Sequence, residues 1–560
     1  MGQDPFTPRP IERHLIVASV PTPNGRLHLG HIAGPFLRAD ILARHLRRRG
    51  NKVVLAAGVD VYESYMLLRA RQDSTTPSPA SVADRYCPLI RRDLEALNIE
   101  PDVWIDPLSP RWHDIYQRRH REVMNQLISR GRVDVETRSL MFSPKDNRFL
   151  TGCWLLGKCP TCGAATAGSS CEACGAHFPP YRMKEPRGRF GESDLQEREV
   201  DHFLLKIDYD ALESYIGSVQ IADEFRVLVQ RALASRDFHA SLVVPGSWGV
   251  AWPRMGGSIT SVLFSYSFNL AFALVFGDAY QALTGESTNP FVQGSTVRLT
   301  ATIGVDVLMP RAIILPAMAV PLGTRSFERL TINRFYNLGG AKFSTSRNHA
   351  IWAEDIITGT GLASDEVRFY LARTSPGVRE TNFDPAEFCS VVNDVFAGRL
   401  AGLLSHVSLP LAMPPADSGP SEKLQAQLGI RLSNQDRVAE TEPFDLPHYA
   451  HQLESWLDDE LIQQVHANGE LYWWLKGLAL LSGPIIPRLA GALWKGFGHD
   501  GLPKLDAFQD RRAGKSLLPI ARHLRLDALD PCLPTTMQRS TTKSSMPKPE
   551  EPSMPSPAQA

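Results

Sequence analysis

The chain has 560 residues, enough for three or four domains, and its hydrophobic content of 43% is typical of a large globular protein. Basic and acidic residues balance at 60 each, so the overall charge neither favours nor excludes nucleic acid as a partner. The N-terminus lacks the charged-then-apolar pattern of a signal peptide. The apolar segment 258–277 is rich in serine and barely long enough for a membrane span, so we expect buried core, no membrane partner and a cytoplasmic location.

The first predicted elements are a strand and a helix that flank two histidines. Residues 14–20, HLIVASV, form a short apolar and β-branched run that predicts a buried strand. Residues 32–49 have helical periodicity, and Gly50 is the expected cap. His28 and His31 therefore stand where the strand turns into the helix. In an α/β sheet this position is the carboxyl edge, where a helix N-terminus attracts phosphate.

Two basic stretches follow, RHLRRRGNK at 44–52 and YQRRHRE at 116–122. We expect each to be a solvated helix face, and a nucleic-acid contact is the alternative.

Five of the eight cysteines lie within 153–174, and four of them form CPTCGAATAGSSCEACG. This segment has two C-x2-C knuckles, each followed by a glycine that lets backbone amides turn towards the sulfurs. Four thiolates at this spacing predict a structural Zn²⁺ site, with disulfides as the alternative. The predicted ligands are Cys159, Cys162, Cys171 and Cys174. The isolated cysteines at 87, 389 and 532 are expected in the core.

Two later segments carry weaker signals. TATIGVDVLMP predicts a strand that leads to Gly304 and Asp306, and a carboxylate just past a strand end can bind ribose hydroxyls. LGGAKFSTSRNHA is a glycine-rich turn followed by Lys342 and several hydroxyl residues. Such loops can close over a polyphosphate, although an ordinary surface loop is the alternative.

Taken in order, these segments resemble the class I aminoacyl-tRNA synthetases, and specifically the methionyl-tRNA synthetases. The HIGH signature of that family appears as His28-Leu29-Gly30-His31, and KMSKS appears as Lys342-Phe343-Ser344-Thr345-Ser346. The segments at 143–163 and 232–253 resemble the entry to the family's zinc-bearing insertion and the return to its nucleotide fold. The resemblance covers residues 12–400 well and residues 400–500 loosely.

The resemblance implies an α/β fold, in which a Rossmann-type parallel nucleotide-binding sheet is split by a zinc-knuckle insertion and followed by an α-helical bundle domain. The implied divisions are a flexible N-terminus (1–10), the first half of the catalytic domain (11–115), the connective insertion (116–234), the second half of the catalytic domain (235–337), a KMSKS-like loop with a stem-contact region (338–388), an anticodon-binding-like helical domain (389–534) and a disordered tail (535–560).

The resemblance also implies a reaction and its residues. An amino acid would be activated with ATP and Mg²⁺ to an aminoacyl-adenylate and passed to an acceptor, with tRNA as the expected partner. His28, His31 and Lys342 would act on the phosphates, and Asp60 would pair with the substrate ammonium. The implied nucleotide-binding residues are Gly30, Gly304, Asp306, Ser344, Thr345 and Ser346, and the remaining amino-acid-binding residues are Ser19, Val20, Thr22, Tyr266, Val307 and Arg311. In the family, a side chain at Gly30 would collide with the adenine.

Several positions depart from the family pattern. Thr345 replaces the second lysine of KMSKS, and losing such a donor costs about 3 kcal/mol in the transition state. Thr22 replaces the tyrosine that closes over methionine, and Arg311 replaces a histidine at the base of the pocket. A buried, unpaired guanidinium does not suit a thioether. We therefore expect Arg311 to pair with Glu63 or with a polar or acidic substrate side chain, with a solvent-facing side chain as the alternative.

The predicted helical domain is also altered. Gly402 and His406 occupy the positions of the anticodon-reading asparagine and arginine, and Trp474 is either an anticodon-stacking ring or a core residue. Three hypotheses remain open: a tRNA ligase with an altered pocket, a paralogue that uses a non-tRNA acceptor in a biosynthetic pathway, and a catalytically silent RNA-binding or regulatory relative. We expect a monomer.

Overall fold

The computed structural model of the protein describes residues 5–7, 9–171, 173–192, 194–255, 259–344, 349–400, 419–512 and 523–538. Thr345 and Ser346 of the KMSKS-like segment lie outside the described residues, and so do Gly402 and His406. Most of the predicted tail, from 539 onward, lies outside them as well.

The strands of the described chain are β1 (Arg13–Ala18), β2 (Lys52–Gly58), β3 (Val103–Ile105), β4 (Val133–Ser143), β5 (Arg148–Phe149), β6 (Leu155–Lys158), β7 (Ala165–Ala167), β8 (Lys184–Gly188), β9 (Gln196–Leu205), β10 (Val243–Pro245), β11 (Val250–Met255), β12 (Ile259–Leu263), β13 (Arg298–Gly304), β14 (Arg329–Asn333), β15 (Tyr336–Leu338), β16 (Ala341–Lys342) and β17 (Thr381–Phe383).

The helices are α1 (Leu29–His31), α2 (Leu37–Arg48), α3 (Ser64–Gln72), α4 (Pro79–Ala96), α5 (His113–Ser129), α6 (Tyr209–Ser218), α7 (Asp223–Ala234), α8 (Asn269–Thr284), α9 (Leu315–Leu322), α10 (Ala353–Thr360), α11 (Ser364–Arg373), α12 (Pro385–Val391), α13 (Glu422–Glu440), α14 (Leu446–Glu454), α15 (Asp459–Ala467), α16 (Leu471–Ser482) and α17 (Pro487–Gly496). Wider helical turns occupy Ile32–Phe36, Pro310–Ile314 and Val392–Leu400, and tight 3-10 turns occupy Gly152–Trp154, Pro180–Arg182, Val305–Val307, Leu505–Ala507 and Leu526–Cys532.

A five-stranded parallel sheet with the order β14-β13-β1-β2-β3 forms the centre of the fold. In its register, His14 of β1 pairs with Arg298 of β13 and with Val53 of β2. The polypeptide between β3 and β13 carries three small antiparallel sheets, so the central sheet is split by an insertion, as predicted. The order of the strands reverses direction between β1 and β13. Ligands of open α/β sheets bind at the carboxyl ends of the strands beside such a switch point.

Alternating side chains of β1 pack into two different cores. Leu15 and Val17 lie in a cluster with the apolar residues of α8 and α9, and Ile16 and Ala18 lie in a cluster with α2 and the C-terminal helices. This division follows from the two-residue period of a strand. The predicted core position of the apolar segment 258–277 is confirmed for its described helical part, because α8 is buried from Leu270 to Gly277.

One helical stretch among the described residues, Val305–Leu322, is long and apolar enough to cross a membrane, with a mean hydropathy of 1.6. Within the protein, 72% of this stretch is buried, and it includes α9, which packs in the core below the sheet. Its composition is therefore explained by burial inside the protein.

The first basic stretch is not a solvated helix face, and the expectation was wrong there. His45 and Arg48 are buried, and Arg48 donates to Gln435 at 2.7 Å and to the carbonyl of Leu480 at 2.8 Å. The guanidinium of Arg49 pairs with Asp436 at 3.1 Å. These cations fix α2 of the nucleotide fold to α13 and α16 of the C-terminal helices. In the second stretch Arg118 and Arg121 are exposed, as predicted, whereas His120 is buried.

A second buried contact joins the same two regions. Arg368 of α11 pairs with Asp40 of α2 at 2.6 Å and donates to the carbonyls of Ile485 at 2.8 Å and Pro484 at 3.0 Å. A buried charge pair is stable only when its remaining donors are satisfied. Here the carbonyl oxygens accept hydrogen bonds from the remaining donors of Arg368. The contact therefore holds α2, α11 and the C-terminal helices together at one point.

Candidate active site

A cavity of about 830 Å³ opens at the carboxyl edge of the sheet, beside the switch point between β1 and β13. It brings together thirteen of the predicted site residues, from five separate parts of the chain. They are Ser19, Val20, Thr22, His28, Gly30, His31, Asp60, Tyr266, Gly304, Asp306, Val307, Arg311 and Lys342. The described residue Ser344 does not line the cavity.

The two histidines of the HIGH-like segment form a stacked pair at the start of the first helix. Their ring centroids are 3.7 Å apart and the ring planes differ by 19°. The backbone N–H of His28 donates to Nδ1 of His31, and the backbone N–H of His31 donates to Nδ1 of His28, both at 3.3 Å. The side chain of His31 therefore caps the N–H of His28, and the N–H of His31 is shared between Nδ1 of His28 and the carbonyl of His28 at 2.9 Å.

This pairing fixes the protonation state of both rings. An Nδ1 that accepts a hydrogen bond carries no proton, so the neutral imidazole holds its proton on Nε2. Burial lowers the pKa of His28 well below its ordinary value, and the neighbouring His31 and Lys342 lower it further. Burial and Lys342 lower the pKa of His31 to about 4. At neutral pH the cavity is thus presented with two uncharged rings that are Nε2–H donors.

Gly30 is required by the protein's own packing. A Cβ at this position would lie 3.0 Å from Nδ1 of His28 and 3.2 Å from the ring of Phe343. The ring of Phe343 also stacks on His28, with centroids 4.9 Å apart. A larger residue at 30 would therefore displace the His28 ring whether or not a nucleotide were bound, a second reason for glycine beside the adenine contact that the resemblance implies.

Lys342 reaches the cavity from the β15–β16 hairpin. The hairpin turns through Gly339 and Gly340, both with positive φ, and Asn382 accepts the N–H of Gly340 at 2.8 Å. The Lys342 ammonium lies 3.7 Å from the centroid of Phe335, and its charge acts on both histidines. The first lysine of the KMSKS-like segment is thus adjacent to the HIGH-like pair.

Gly304 and Asp306 follow β13 on the other side of the switch point. A Cβ on Gly304 would lie 2.3 Å from Oδ1 of Asp306, so the carboxylate folds back over this glycine. The side chain of Asp306 is exposed at the cavity mouth. A carboxylate after a strand of a nucleotide fold is the group that commonly binds ribose hydroxyls.

Two carboxyl groups lie together after β2. The N–H of Tyr62 donates to Asp60 at 3.2 Å, and the hydroxyl of Ser265 donates to Glu63 at 3.4 Å. Burial raises the pKa of Asp60 to about 6. Burial and the charge of Asp60 raise the pKa of Glu63 to about 8. Of the two carboxyl groups, Glu63 holds its proton more tightly, because the charge of Asp60 adds to the effect of burial.

Arg311 does not face solvent, which removes that alternative. Its side chain lies in the cavity wall within the turn Pro310–Ile314, and only 5% of the residue is exposed. Burial lowers its pKa to about 10, against the charge of Asp60, so the guanidinium remains cationic. Burial also raises the pKa of Glu63, which weakens this carboxyl as a compensating anion for Arg311.

Glu63, which the sequence analysis considered as a partner of Arg311, lines the cavity together with Ser265. The structure adds His177, which the sequence analysis did not place in the site and whose Nε2 lies 3.4 Å from the hydroxyl of Tyr266. The segment 165–170, between the two cysteine knuckles, forms part of the wall. Glu63 was visible three residues after Asp60, but the insertion carries no local signal that it reaches the site.

The four knuckle cysteines have sulfurs within 4.8 Å of one another. The Sγ atoms of Cys159 and Cys174 are 3.7 Å apart, and so are those of Cys162 and Cys171. These distances exclude disulfides, whose sulfurs are about 2.05 Å apart. They match the separation of about 3.8 Å that Zn–S bonds of about 2.3 Å give in a tetrahedron. Backbone N–H groups within each knuckle hydrogen-bond Cys159 and Cys171, so the residues fit Zn²⁺.

Comparison with known proteins agrees with this geometry. Residues 14–408 match the family model described as tRNA synthetases class I (M). A methionine–tRNA ligase of Porphyromonas gingivalis is 28% identical over 428 residues, which cover 73% of this chain and 60% of that protein. One from Chlamydia pneumoniae is 26% identical over 522 residues, covering 86% and 91% of the two chains.

The fold is also similar to that of Mycobacterium tuberculosis methionyl-tRNA synthetase bound by methionyl-adenylate. The TM-score is 0.67 at 17% identity, covering 92% of this chain and 100% of that one. Since the family model spans most of the chain, the protein belongs to the class I tRNA synthetases, in the group designated M. The chain spans about 60% of the length of the Porphyromonas relative.

Proposed function

We propose that the protein is an ATP-dependent, AMP-forming ligase that activates an amino acid and transfers it to tRNA. The observation that carries the proposal is the stacked pair His28–His31 at the switch point, in one cavity with Asp60 and Asp306. In the first step, a carboxylate oxygen of the amino acid bonds to the α-phosphorus of ATP. The bond from that phosphorus to the bridging oxygen breaks, and pyrophosphate leaves with the electron pair.

The chain would promote this step by placing donors where negative charge grows. The two neutral imidazoles would donate Nε2–H to the phosphates, and the ammonium of Lys342 would add a positive charge beside them. Asp306 would hold the ribose, and Asp60 would hold the substrate ammonium. Mg²⁺ would enter on the phosphates of ATP and supply further positive charge.

The second step would use the helical region. A terminal hydroxyl of tRNA would attack the carbonyl carbon of the adenylate, and AMP would leave. The names of the relatives support tRNA as the acceptor. A second candidate, an acceptor other than tRNA, is favoured by Trp474, which is fully buried against Trp456 and cannot stack on an anticodon base without unpacking.

The amino-acid pocket differs from a thioether pocket. The relatives are named for methionine, but here the wall of the cavity contains the cation of Arg311 and the carboxyl group of Glu63, in addition to the Asp60 that would hold the substrate ammonium. Burying an apolar side chain against these groups leaves them without partners. The pocket therefore favours a polar or charged side chain.

Pyrophosphate exchange with ATP, measured with each common amino acid, tests the proposal. We expect exchange with a narrow class of amino acids and its loss in His28→Asn. Charging of total tRNA, measured next, separates the acceptors: exchange without charging indicates a non-tRNA acceptor. If the wild-type protein supports exchange with no amino acid, the activation reaction is refuted and the silent relative is the better description.

A further inference from the structure

The cation of Arg311 lacks a full set of partners inside the cavity. Among the described residues, its Nη1 is buried without a hydrogen-bond partner. Its guanidinium carbon lies 5.9 Å from the centroid of the Phe327 ring, a contact that offers no hydrogen-bond acceptor. A buried cationic donor left unpaired costs several kcal/mol. A ligand that supplies an acceptor here would remove that cost.

The neighbouring acids cannot fill this role when substrate is bound. Asp60 is the acidic residue whose charge acts on Arg311 in the free protein. In the proposed reaction Asp60 pairs with the substrate ammonium, so its charge is shared with a second cation. Glu63 accepts a hydrogen bond from Ser265, and its raised pKa weakens it as an anion. Binding of a zwitterionic substrate with an uncharged side chain would thus leave the Arg311 cation without compensation.

Ser265 and Tyr266 add hydroxyl groups to the same cavity. The hydroxyl of Ser265 already donates to Glu63, and that of Tyr266 lies 3.4 Å from Nε2 of His177, whereas Nη1 of Arg311 has no acceptor among the described residues. A guanidinium binds oxygen anions through charge-assisted hydrogen bonds. A thioether offers a guanidinium only a weak acceptor.

Resting on the activation reaction proposed above, we propose that the amino acid activated has a side-chain carboxylate, which accepts hydrogen bonds from the guanidinium of Arg311. Aspartate and glutamate are the common amino acids of this class. When the substrate ammonium pairs with Asp60, the charge of Asp60 compensates Arg311 less. A side-chain carboxylate would supply the missing negative charge, and the planar guanidinium suits a carboxylate.

Pyrophosphate exchange by the full chain provides the test, with aspartate, glutamate, asparagine, glutamine and methionine compared at saturating ATP. We expect kcat/KM for one acidic amino acid to exceed that for its own amide by at least about 100-fold. Arg311→Gln should remove most of this preference, and Arg311→Lys should restore part of it. Arg92→Gln, which removes an exposed arginine outside the cavity, should leave the preference unchanged.

Exchange by the wild-type protein alone can decide which class of amino acid is activated. Exchange with methionine or an amide in preference to the acids would overturn the acidic side chain while leaving the activation reaction intact. Exchange with none of the common amino acids would overturn both proposals. A wild-type preference for an acid that persists in a folded Arg311→Gln would remove Arg311 as its cause.

Discussion

The Nδ1 atoms of His28 and His31 each accept the backbone N–H of the other residue, and the two rings stack 3.7 Å apart. The reciprocal bonds hold the rings in one tautomer, because a proton on either Nδ1 would break a cap. The pair is therefore already arranged with Nε2–H donors before any ligand arrives. Donors that need no reorganisation are the most effective at stabilising a charge that develops during reaction.

Replacing either histidine by asparagine should lower the rate of adenylate formation by about 100- to 1000-fold, since the shorter amide cannot place a donor where the imidazole Nε2–H lies. Pyrophosphate exchange at saturating substrates measures this loss. His466→Asn, on the exposed side of α15, serves as the control and should retain the wild-type rate. Equal rates in His28→Asn and the control would refute the role of the pair.

Gly30→Ala should also impair activity, because the added methyl group would lie 3.0 Å from Nδ1 of His28 and displace the ring. We expect a loss of at least about tenfold in the exchange rate. Gly217→Ala is the matched control, since a Cβ there meets no neighbouring atom within 4 Å and α6 is helical. That variant should be active and slightly more stable. An unimpaired Gly30→Ala would show that the ring position is not critical.

Amino-acid affinity should depend on pH through Asp60. Burial raises the pKa of this carboxyl to about 6, so the free protein loses the anion as the pH falls through that value. We expect the KM for the amino acid to be about tenfold higher at about pH 5 than at about pH 7, while the KM for ATP changes little. Asp60→Asn should raise the KM at neutral pH and abolish this dependence. An unchanged pH profile in Asp60→Asn would contradict the assignment.

The raised pKa of Asp60 also makes the stability of the folded protein depend on pH. A carboxyl that holds its proton more tightly in the folded state than in the unfolded state favours folding at low pH. That contribution is lost as the pH rises from the unfolded pKa of Asp60 through about 6. Bound amino acid offsets the loss by pairing its ammonium with the anion. Thermal stabilisation by substrate should consequently be larger at neutral pH than at pH values where Asp60 is protonated.

Removal of Zn²⁺ should affect the cavity as well as the insertion. Cys162→Ser should reduce the bound zinc, measured by atomic absorption, from one ion per chain towards zero, and should lower the Tm by several degrees. Cys87→Ser is the control for zinc content, because Cys87 is buried in α4 away from the cluster. Full zinc occupancy in Cys162→Ser would contradict the four-cysteine site.

Trp474→Ala should act through stability. The ring stacks on Trp456 with centroids 6.1 Å apart, and the indole N–H of Trp456 donates to the carbonyl of Trp474 at 3.1 Å. We expect a loss of about 3–5 kcal/mol in the free energy of unfolding, measured with denaturant, and a smaller loss for Trp474→Phe. Weakened tRNA binding at unchanged stability would instead support a direct contact.

The histidine pair and the cysteine cluster could be predicted because each depends on a short segment, whereas the sheet as a whole was implied by the family resemblance. The strand before His28 and the helix after it are set by local periodicity, and the knuckles by cysteine spacing. The stacking of Phe343 on His28 could not be predicted in this way, since it joins residues far apart in the chain. The spacing of residues within a motif does not indicate which of its side chains contacts a different motif.

The burial of the arginines is a second feature that could not be predicted from the sequence. RHLRRRGNK has the composition of a solvated helix face, yet Arg48 and Arg49 are bonded to Gln435 and Asp436 of α13. Arg311 has the same chemistry, but its Nη1 is buried without a hydrogen-bond partner among the described residues. Composition gives the charge of these residues, and only the packing of distant helices decides which charge is compensated.

The loop at 165–170 links the cluster of cysteines to the wall of the cavity, since it lies between the two knuckles and lines the site. Its strand β7 pairs with β6, and the two knuckles that hold either end of the segment add to this support. The supply of zinc in the cell would thus set the fraction of molecules with a complete substrate pocket, even where the central sheet and the helices remain folded.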